Sequence, residues 1–154
     1  MCIFVQNYLS PIGNITVKAN ADAVTDIFLG KSAKESPNYL TEKAVSELKL
    51  YFENNLTSFS FPIEPHGTDF QKRVWKKLME IPYGEVCSYG DIAEKIGDKR
   101  YSRAVGGAVN KNPVLIAVPC HRVVGADGAL VGFACGLEVK KYLLGVEGAN
   151  NISK

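Results

Sequence analysis

Residues 88–113 read SYGDIAEKIGDKRYSRAVGGAVNKNP, and this stretch decides the fold of the second half of the chain. Ser88 with Asp91 is a helix N-terminal signature. Ile92, Ala93 and Ile96 follow at helical spacing, and Gly97 ends the run. The charged turn DKRY leads to a second short helix, stopped by Asn112 and Pro113. Residues 88–97 and 102–111 thus form a helix-turn-helix candidate, although a plain helical hairpin has the same outline. Composition favours the first reading. Ser102, Gly106, Gly107 and Asn110 share one side of the second helix, and Arg103 projects from the same surface. Lys99, Arg100 and Lys111 lie at its ends. Glycine inside a helix costs about 1 kcal/mol relative to alanine, so two of them point to a backbone that must approach a partner closely. A smooth helix tipped with arginine suits a DNA groove better than a core. With few long polar side chains available, broad reading of base edges is not expected.

Downstream, PVLIAVPCHRVVG (113–125) carries an unbroken apolar run, Val114 to Val118, that reads as a buried strand. It halts at Pro119 and delivers Cys120, His121 and Arg122 in succession. His121 or Arg122 could favour a thiolate at Cys120. On an extended chain the thiol and imidazole point to opposite faces, so proton transfer between them needs an intervening water or a local turn. A carboxylate could orient the imidazole. Glu147 is the candidate, at the C-terminal end of a last helix where the macrodipole disfavours negative charge. That helix is read from Val139, Tyr142, Leu143 and Val146, with Gly148 as its stop.

Upstream, Thr68 with Gln71 is a capping-box signature, and Phe70, Val74, Trp75, Leu78 and Ile81 line one face behind it. The first half of the chain differs in kind. IFVQNYL, NITVKA and VTDIFLG are short strand-like runs separated by turn residues, which predicts an antiparallel meander. Ala44, Val45, Leu48, Tyr51 and Phe52 then recur at helical spacing up to Asn54-Asn55. LTSFSFPIEPHG has two prolines, a glycine and no helical period, so the domain boundary is expected there. The expected architecture is a small N-terminal α/β domain with an antiparallel sheet (residues 1–60), then a mostly helical domain holding the helix-turn-helix (residues 61–154).

Composition sets the outer bounds. The chain has 154 residues, 46% hydrophobic and 22% charged, as ordinary globular proteins do. No apolar run is long enough to cross a membrane, and the N-terminus lacks the pattern of a signal peptide. A cytoplasmic location is expected. The cysteines at 2, 87, 120 and 135 show no close metal-ligand spacing, and only His66 and His121 could join them, so no metal or other cofactor is expected. Charge is uneven: residues 1–68 hold 5 Lys/Arg against 7 Asp/Glu, whereas residues 69–154 hold 13 against 9. The basic surplus lies in the half with the thiol, which suits a polyanionic partner.

PCHRVVG, with GTDFQKRVWKKLMEIPYGE, SYGDIAEKIG and SRAVGGAVNKNP before it and GLEVKKYLLGVEG after it, closely resembles the O6-alkylguanine-DNA alkyltransferases. The resemblance is continuous from about residue 67 to residue 148; residues 1–66 match in strand-and-helix pattern and in SPIGNITV. It implies irreversible, single-turnover transfer of an alkyl group from O6 of guanine, and from O4 of thymine, to Cys120. The substrate it implies is double-stranded DNA containing alkylated guanine, met by a monomer. By position, His121 resembles the base acting through water, Glu147 its orienter, and Asn112 the residue steadying the turn. Tyr89 matches the proton donor to the guanine ring, and Arg103 the arginine that replaces the flipped base. Ser102, Gly106, Gly107, Asn110 and Arg122 are expected at the DNA. Val123, Phe133, Ala134 and Cys135 are expected to wall the guanine pocket. There VGFACG departs from the usual Gly-Tyr-Ser-Gly-Gly-like segment, with Cys135 in place of glycine. Two rival classes stand beside this reading. A lesion-binding protein without transfer would replace the cysteine. A cysteine hydrolase would place its base far off in sequence and announce oxyanion donors.

Overall fold

The computed structural model describes residues 3–128 and 135–148. The chain forms two compact units, one running to residue 66 and taking back residues 113–115, the other made of 67–112 and the chain from 116.

The first unit is built on β1 (Phe4–Ser10), β2 (Gly13–Ala19) and β3 (Val24–Leu29), an antiparallel meander in the order β1-β2-β3. Both sides of central β2 are covered: Ile15, Val17 and Ala19 are buried on one and Thr16 on the other. The Thr16 hydroxyl meets Asn7 Oδ1 at 2.9 Å and donates to the Gly30 carbonyl at 2.8 Å, so its burial leaves no unmet polar group. Helix α1 (Tyr39–Phe52) packs on the sheet through Leu40, Ala44, Leu48 and Tyr51. Outer strand β3 is also occupied on its free side, where Val24 bridges Ile63 and Ile27 bridges Val114. These bridges explain why the first unit runs to residue 66 and not to residue 60: Val24 N donates to Pro62 O and Glu64 N to Val24 O. Residues 61–64 thus complete the sheet edge and belong with the first unit.

The second unit starts with α2 (Asp69–Leu78), capped by the Thr68/Gln71 box. Val74, Trp75 and Leu78 are buried, and Trp75 Nε1 donates to the Ala108 carbonyl at 2.8 Å. Next come the two-residue strand β4 (Cys87–Ser88) and α3 (Tyr89–Ile96), whose Ser88/Asp91 box is formed and whose C-cap Gly97 sits at φ 147°. A 3₁₀ turn, Lys99–Tyr101, leads into α4 (Ser102–Asn110). Strand β5 (Val123–Val124) pairs parallel with β4, and α5 (Leu137–Glu147) closes the unit.

Two expectations fail here. Val114–Val118 is not one strand: Ile116 turns the chain at φ 73°, a costly conformation for a β-branched residue, and only the start of the run joins the sheet of the first unit. Helix α5 is rotated from the expected phase. Its buried residues are Lys140, Leu143, Leu144 and Glu147, whereas Tyr142 is 43% exposed. The spacing i, i+3, i+4, i+7 is that of a core-facing stripe, but its two ends are charged.

Candidate active site

The thiol sits where the backbone changes direction. Pro119, at φ −80° and ψ 66°, centres an inverse γ-turn in which Cys120 N donates to Val118 O at 2.8 Å. A 3₁₀ turn, Cys120–Arg122, follows, with Arg122 N bonded to Pro119 O at 3.0 Å. The Val118 carbonyl takes a second bond from Asn112 Nδ2 at 2.7 Å. The Asn112 side chain also hydrogen-bonds Cys120, so one amide fixes both the turn and the sulfur. Cys120, His121 and Arg122 are all buried, at 4%, 0% and 8% exposure.

His121 Nε2 lies 2.6 Å from Glu147 Oε2. Arg122 donates to the same carboxylate through Nε at 2.8 Å and Nη2 at 3.1 Å, and Gly84 N approaches Oε1 at 3.4 Å. Arg122 is itself anchored by Nη1 on the Ile81 carbonyl at 2.7 Å and lies over the Tyr83 ring, 5.8 Å from its centroid. Tyr83 Oη donates to the Val146 carbonyl at 3.2 Å. His121 Nδ1 is buried and meets no hydrogen-bond partner among the described residues. A glutamate ion-paired to arginine is an acceptor only, so Nε2 carries the proton and Nδ1 has the lone pair. The imidazole can therefore receive a proton at Nδ1.

Burial sets the charge states. It pushes the Cys120 thiol up to about 11, opposed by the Asn112 hydrogen bond and by the nearby Lys140 ammonium. Burial also lowers the His121 pKa against the pull of Glu147, so the ring is neutral at physiological pH. Lys140, fully buried, is pushed down to about 8 by desolvation, with the Cys120 charge acting the other way. Its Nζ stands 5.9 Å from the centre of the Tyr89 ring. Tyr89, the first residue of α3, has its phenol pKa raised by burial and by Cys120, so the phenol stays protonated. A thiol, a buried ammonium and a phenol thus stand close together, and the residues after the thiol carry the His121–Glu147–Arg122 network.

Two family models cover nearly the whole chain. The ribonuclease-like domain of 6-O-methylguanine DNA methyltransferase matches residues 3–65, and the DNA binding domain of the same enzyme matches residues 69–149. The chain belongs to the methylated-DNA–protein-cysteine methyltransferase family. It is 45% identical over 148 residues to the methyltransferase of that name from Methanosarcina acetivorans, covering 91% of this chain and 95% of the relative. It is 43% identical over 145 residues to that of Mycobacterium bovis, covering 90% and 88%. Its structure is similar to the crystal structure of Mycobacterium tuberculosis OGT in complex with DNA, with TM-score 0.86 and 41% identity over 94% of this chain and 92% of that one.

In this methyltransferase-family chain Cys120 lies beside Asn112 and Tyr89, His121 pairs with Glu147, and a 3₁₀ turn replaces the extended backbone assumed for Cys120 and His121. Arg103 and Asn110 are exposed on α4, and Ser102 is half-buried with its hydroxyl on the Lys99 carbonyl at 2.7 Å. The two glycines divide in role. A Cβ at Gly106 would meet the Tyr89 ring at 3.9 Å, whereas one at Gly107 would meet nothing within 4 Å. Gly106 thus lies beside the phenol with room for a methyl group, and Gly107 leaves the outer face smooth. Arg122, expected at the DNA, is instead consumed by Glu147 and Ile81. Val123, expected in the pocket wall, is fully buried in β5 beside Cys87. Phe133 and Ala134 lie outside the described residues; Cys135 is half-buried and close enough for its charge to raise the Cys120 pKa. Lys140 was missed. Its place on the apolar stripe with Glu147 was the available signal.

Proposed function

We propose that this chain repairs alkylated DNA by direct reversal, moving a methyl or other alkyl group from O6 of guanine, and from O4 of thymine, onto Sγ of Cys120. The observation that carries the reading is a buried Cys120 adjoining the buried His121–Glu147 pair, with His121 Nδ1 facing away from the carboxylate and meeting no partner among the described residues. A thiol with pKa about 11 is only about one part in 10⁴ ionised at pH 7, so the resting sulfur is inert toward solvent electrophiles. On substrate binding the thiol proton passes through water to Nδ1. The Sγ–C bond forms as the C–O6 bond breaks, and the departing purine takes the Tyr89 proton. Lys140 balances the thiolate charge during attack. The thioether produced has no leaving step, so each molecule acts once.

Duplex DNA is the proposed partner, met by a monomer through α4. Flipping a nucleotide costs a few kcal/mol, less for a weakly paired lesion, and Arg103 entering the gap offsets part of that cost. The basic second half supplies phosphate attraction. The reduced cytosol suits a protein whose function needs a free thiol. Among the described residues no helix is long and apolar enough to cross a membrane.

Paired variants test this reading. Cys120→Ser keeps affinity for lesion duplex and loses transfer, because serine preserves shape without the nucleophile. Arg103→Ala slows repair of duplex DNA far more than reaction with the free base, since only the duplex must be opened. Transfer in Cys120→Ser at a rate near wild type overturns the assignment, and equal slowing of both substrates overturns the role of Arg103.

A further inference from the structure

Arg122 lies two residues from the thiol and belongs neither to the DNA face nor to the core in the ordinary sense. Its side chain is 9% exposed and makes four contacts that leave it no freedom: two hydrogen bonds to Glu147, one to the Ile81 carbonyl, and the face of Tyr83. The Glu147 side chain is itself fully buried, at the C-terminal end of α5 where backbone carbonyls repel an anion. A carboxylate so placed takes up a proton unless a cation compensates it.

Resting on the alkyl-transfer reading, we propose that Arg122 is a positioning residue of the reaction: its clamp keeps Glu147 ionised and so holds His121 as the neutral Nε2–H tautomer, whose Nδ1 can accept the Cys120 proton. The argument is one of charge count. An arginine does not lose its proton. The three buried side chains sum to zero charge only with Glu147 ionised and His121 neutral. Without the guanidinium, neutrality requires one more proton on the His–Glu pair. That proton blocks the base in either location. On the imidazole it occupies Nδ1; on the carboxyl it donates to Nε2, and the ring proton moves to Nδ1.

Every charged neighbour of the pair is consistent with this count. Lys140, also on α5, and Arg122 both disfavour imidazolium, and Glu147 favours it. Tyr83 feels Glu147 and Arg122 with opposite signs. Helix α2, which packs on the same turn, sends its charges elsewhere: Arg73 to the Ile96 carbonyl at 2.8 Å and Lys77 to Glu80 at 3.4 Å. Lysine could supply charge at this site but not the fork that grips both carboxylate oxygens while a third nitrogen holds Ile81.

The test is ¹⁵N NMR of the imidazole in the full chain, joined to the pH dependence of the second-order transfer rate. The only other histidine, His66, is exposed and is assigned by His66→Gln. Wild-type His121 is expected to show a bare Nδ1 and protonated Nε2 across the range where an ordinary histidine titrates. Arg122→Met should place a proton on Nδ1 at neutral pH and shift the rate profile upward. Each unit of that shift is about a tenfold loss below the limb, recovered at high pH. Arg122→Lys, which keeps the charge, should retain the wild-type tautomer and limb. A wild-type His121 that titrates normally or carries its proton on Nδ1 overturns the proposal, as does an Arg122→Met loss equal at every pH. Should Arg122→Met not fold, the wild-type titration and the lysine variant decide. If the wild type transfers no alkyl group, the reaction reading fails while the NMR still judges the clamp.

Discussion

Replacing Lys140 with methionine separates what that residue costs the fold from what it gives the reaction. Lys140 is fully buried and its pKa falls to about 8, whereas an unfolded lysine titrates near ~10.4. A depressed lysine pKa means that the unfolded chain holds more protons between these values, so stability rises with pH through that window. Integrating one site with these two pKa values gives a penalty of ~3 kcal/mol at pH 7 and ~2 kcal/mol at pH 9, a relief of ~1 kcal/mol. The thiols act oppositely: desolvation raises Cys120, Cys87 and Cys135, which weakens the fold as pH climbs toward their folded values. Cys87 and Cys135 act alike in both proteins, and the folded Cys120 thiol stays protonated up to pH 9 with or without Lys140, so the quantity to measure is the difference between wild type and Lys140→Met in urea unfolding. Methionine keeps most of the apolar stem and removes the charge. The variant should be more stable at pH 7, with an advantage that shrinks by ~1 kcal/mol at pH 9. It should also transfer alkyl groups more slowly, having lost the cation that lowers the Cys120 pKa. A stability difference that is flat from pH 7 to pH 9 refutes the reasoning, because the charge would then carry no desolvation cost.

Gly107→Ala adds a methyl group that meets nothing within 4 Å in the free protein, so it should stabilise α4 by up to ~1 kcal/mol while weakening duplex affinity. Unfolding and binding isotherms check the opposite signs, and unchanged affinity removes Gly107 from the DNA face. Cys135→Gly should speed reaction with a benzyl lesion and leave the methyl rate nearly unchanged, since overpacking costs ~1–3 kcal/mol and a methyl group escapes most of it. Inactivation rates under reductant decide it, and a glycine variant that gains nothing for benzyl contradicts it.

What could be read in the sequence was local. The capping boxes at Thr68/Gln71 and Ser88/Asp91 form because both partners lie within one turn. The meander, α1 and the two helices around residues 98–101 follow from spacing and turn residues alone. The misreadings share one physical cause, which is compensation from distant residues. Lys140 looks like a surface charge until Cys120 and Tyr89 come to meet it. Arg122 looks like a phosphate ligand until Glu147, 25 residues on, neutralises it. The apolar run after Pro113 looks like a single strand, because nothing in its composition announces the turn at Ile116. Strands β4 and β5, two residues each, are too short to carry a period. Cys120 was legible for the opposite reason: its neighbours Pro119, His121 and Arg122 are costly to place together at the end of an apolar run.

The central claim is that the alkyl group ends on Cys120, once per molecule. The direct measurement is the intact mass of the protein after incubation with duplex DNA carrying O6-methylguanine, followed by fragmentation of the modified peptide. The account predicts a gain of one methyl group per chain, located on the peptide of Cys120, with unmodified guanine left in the DNA. A lesion duplex that binds without any mass gain, a methyl group on Cys87 or Cys135, or more than one guanine restored per protein molecule would contradict it.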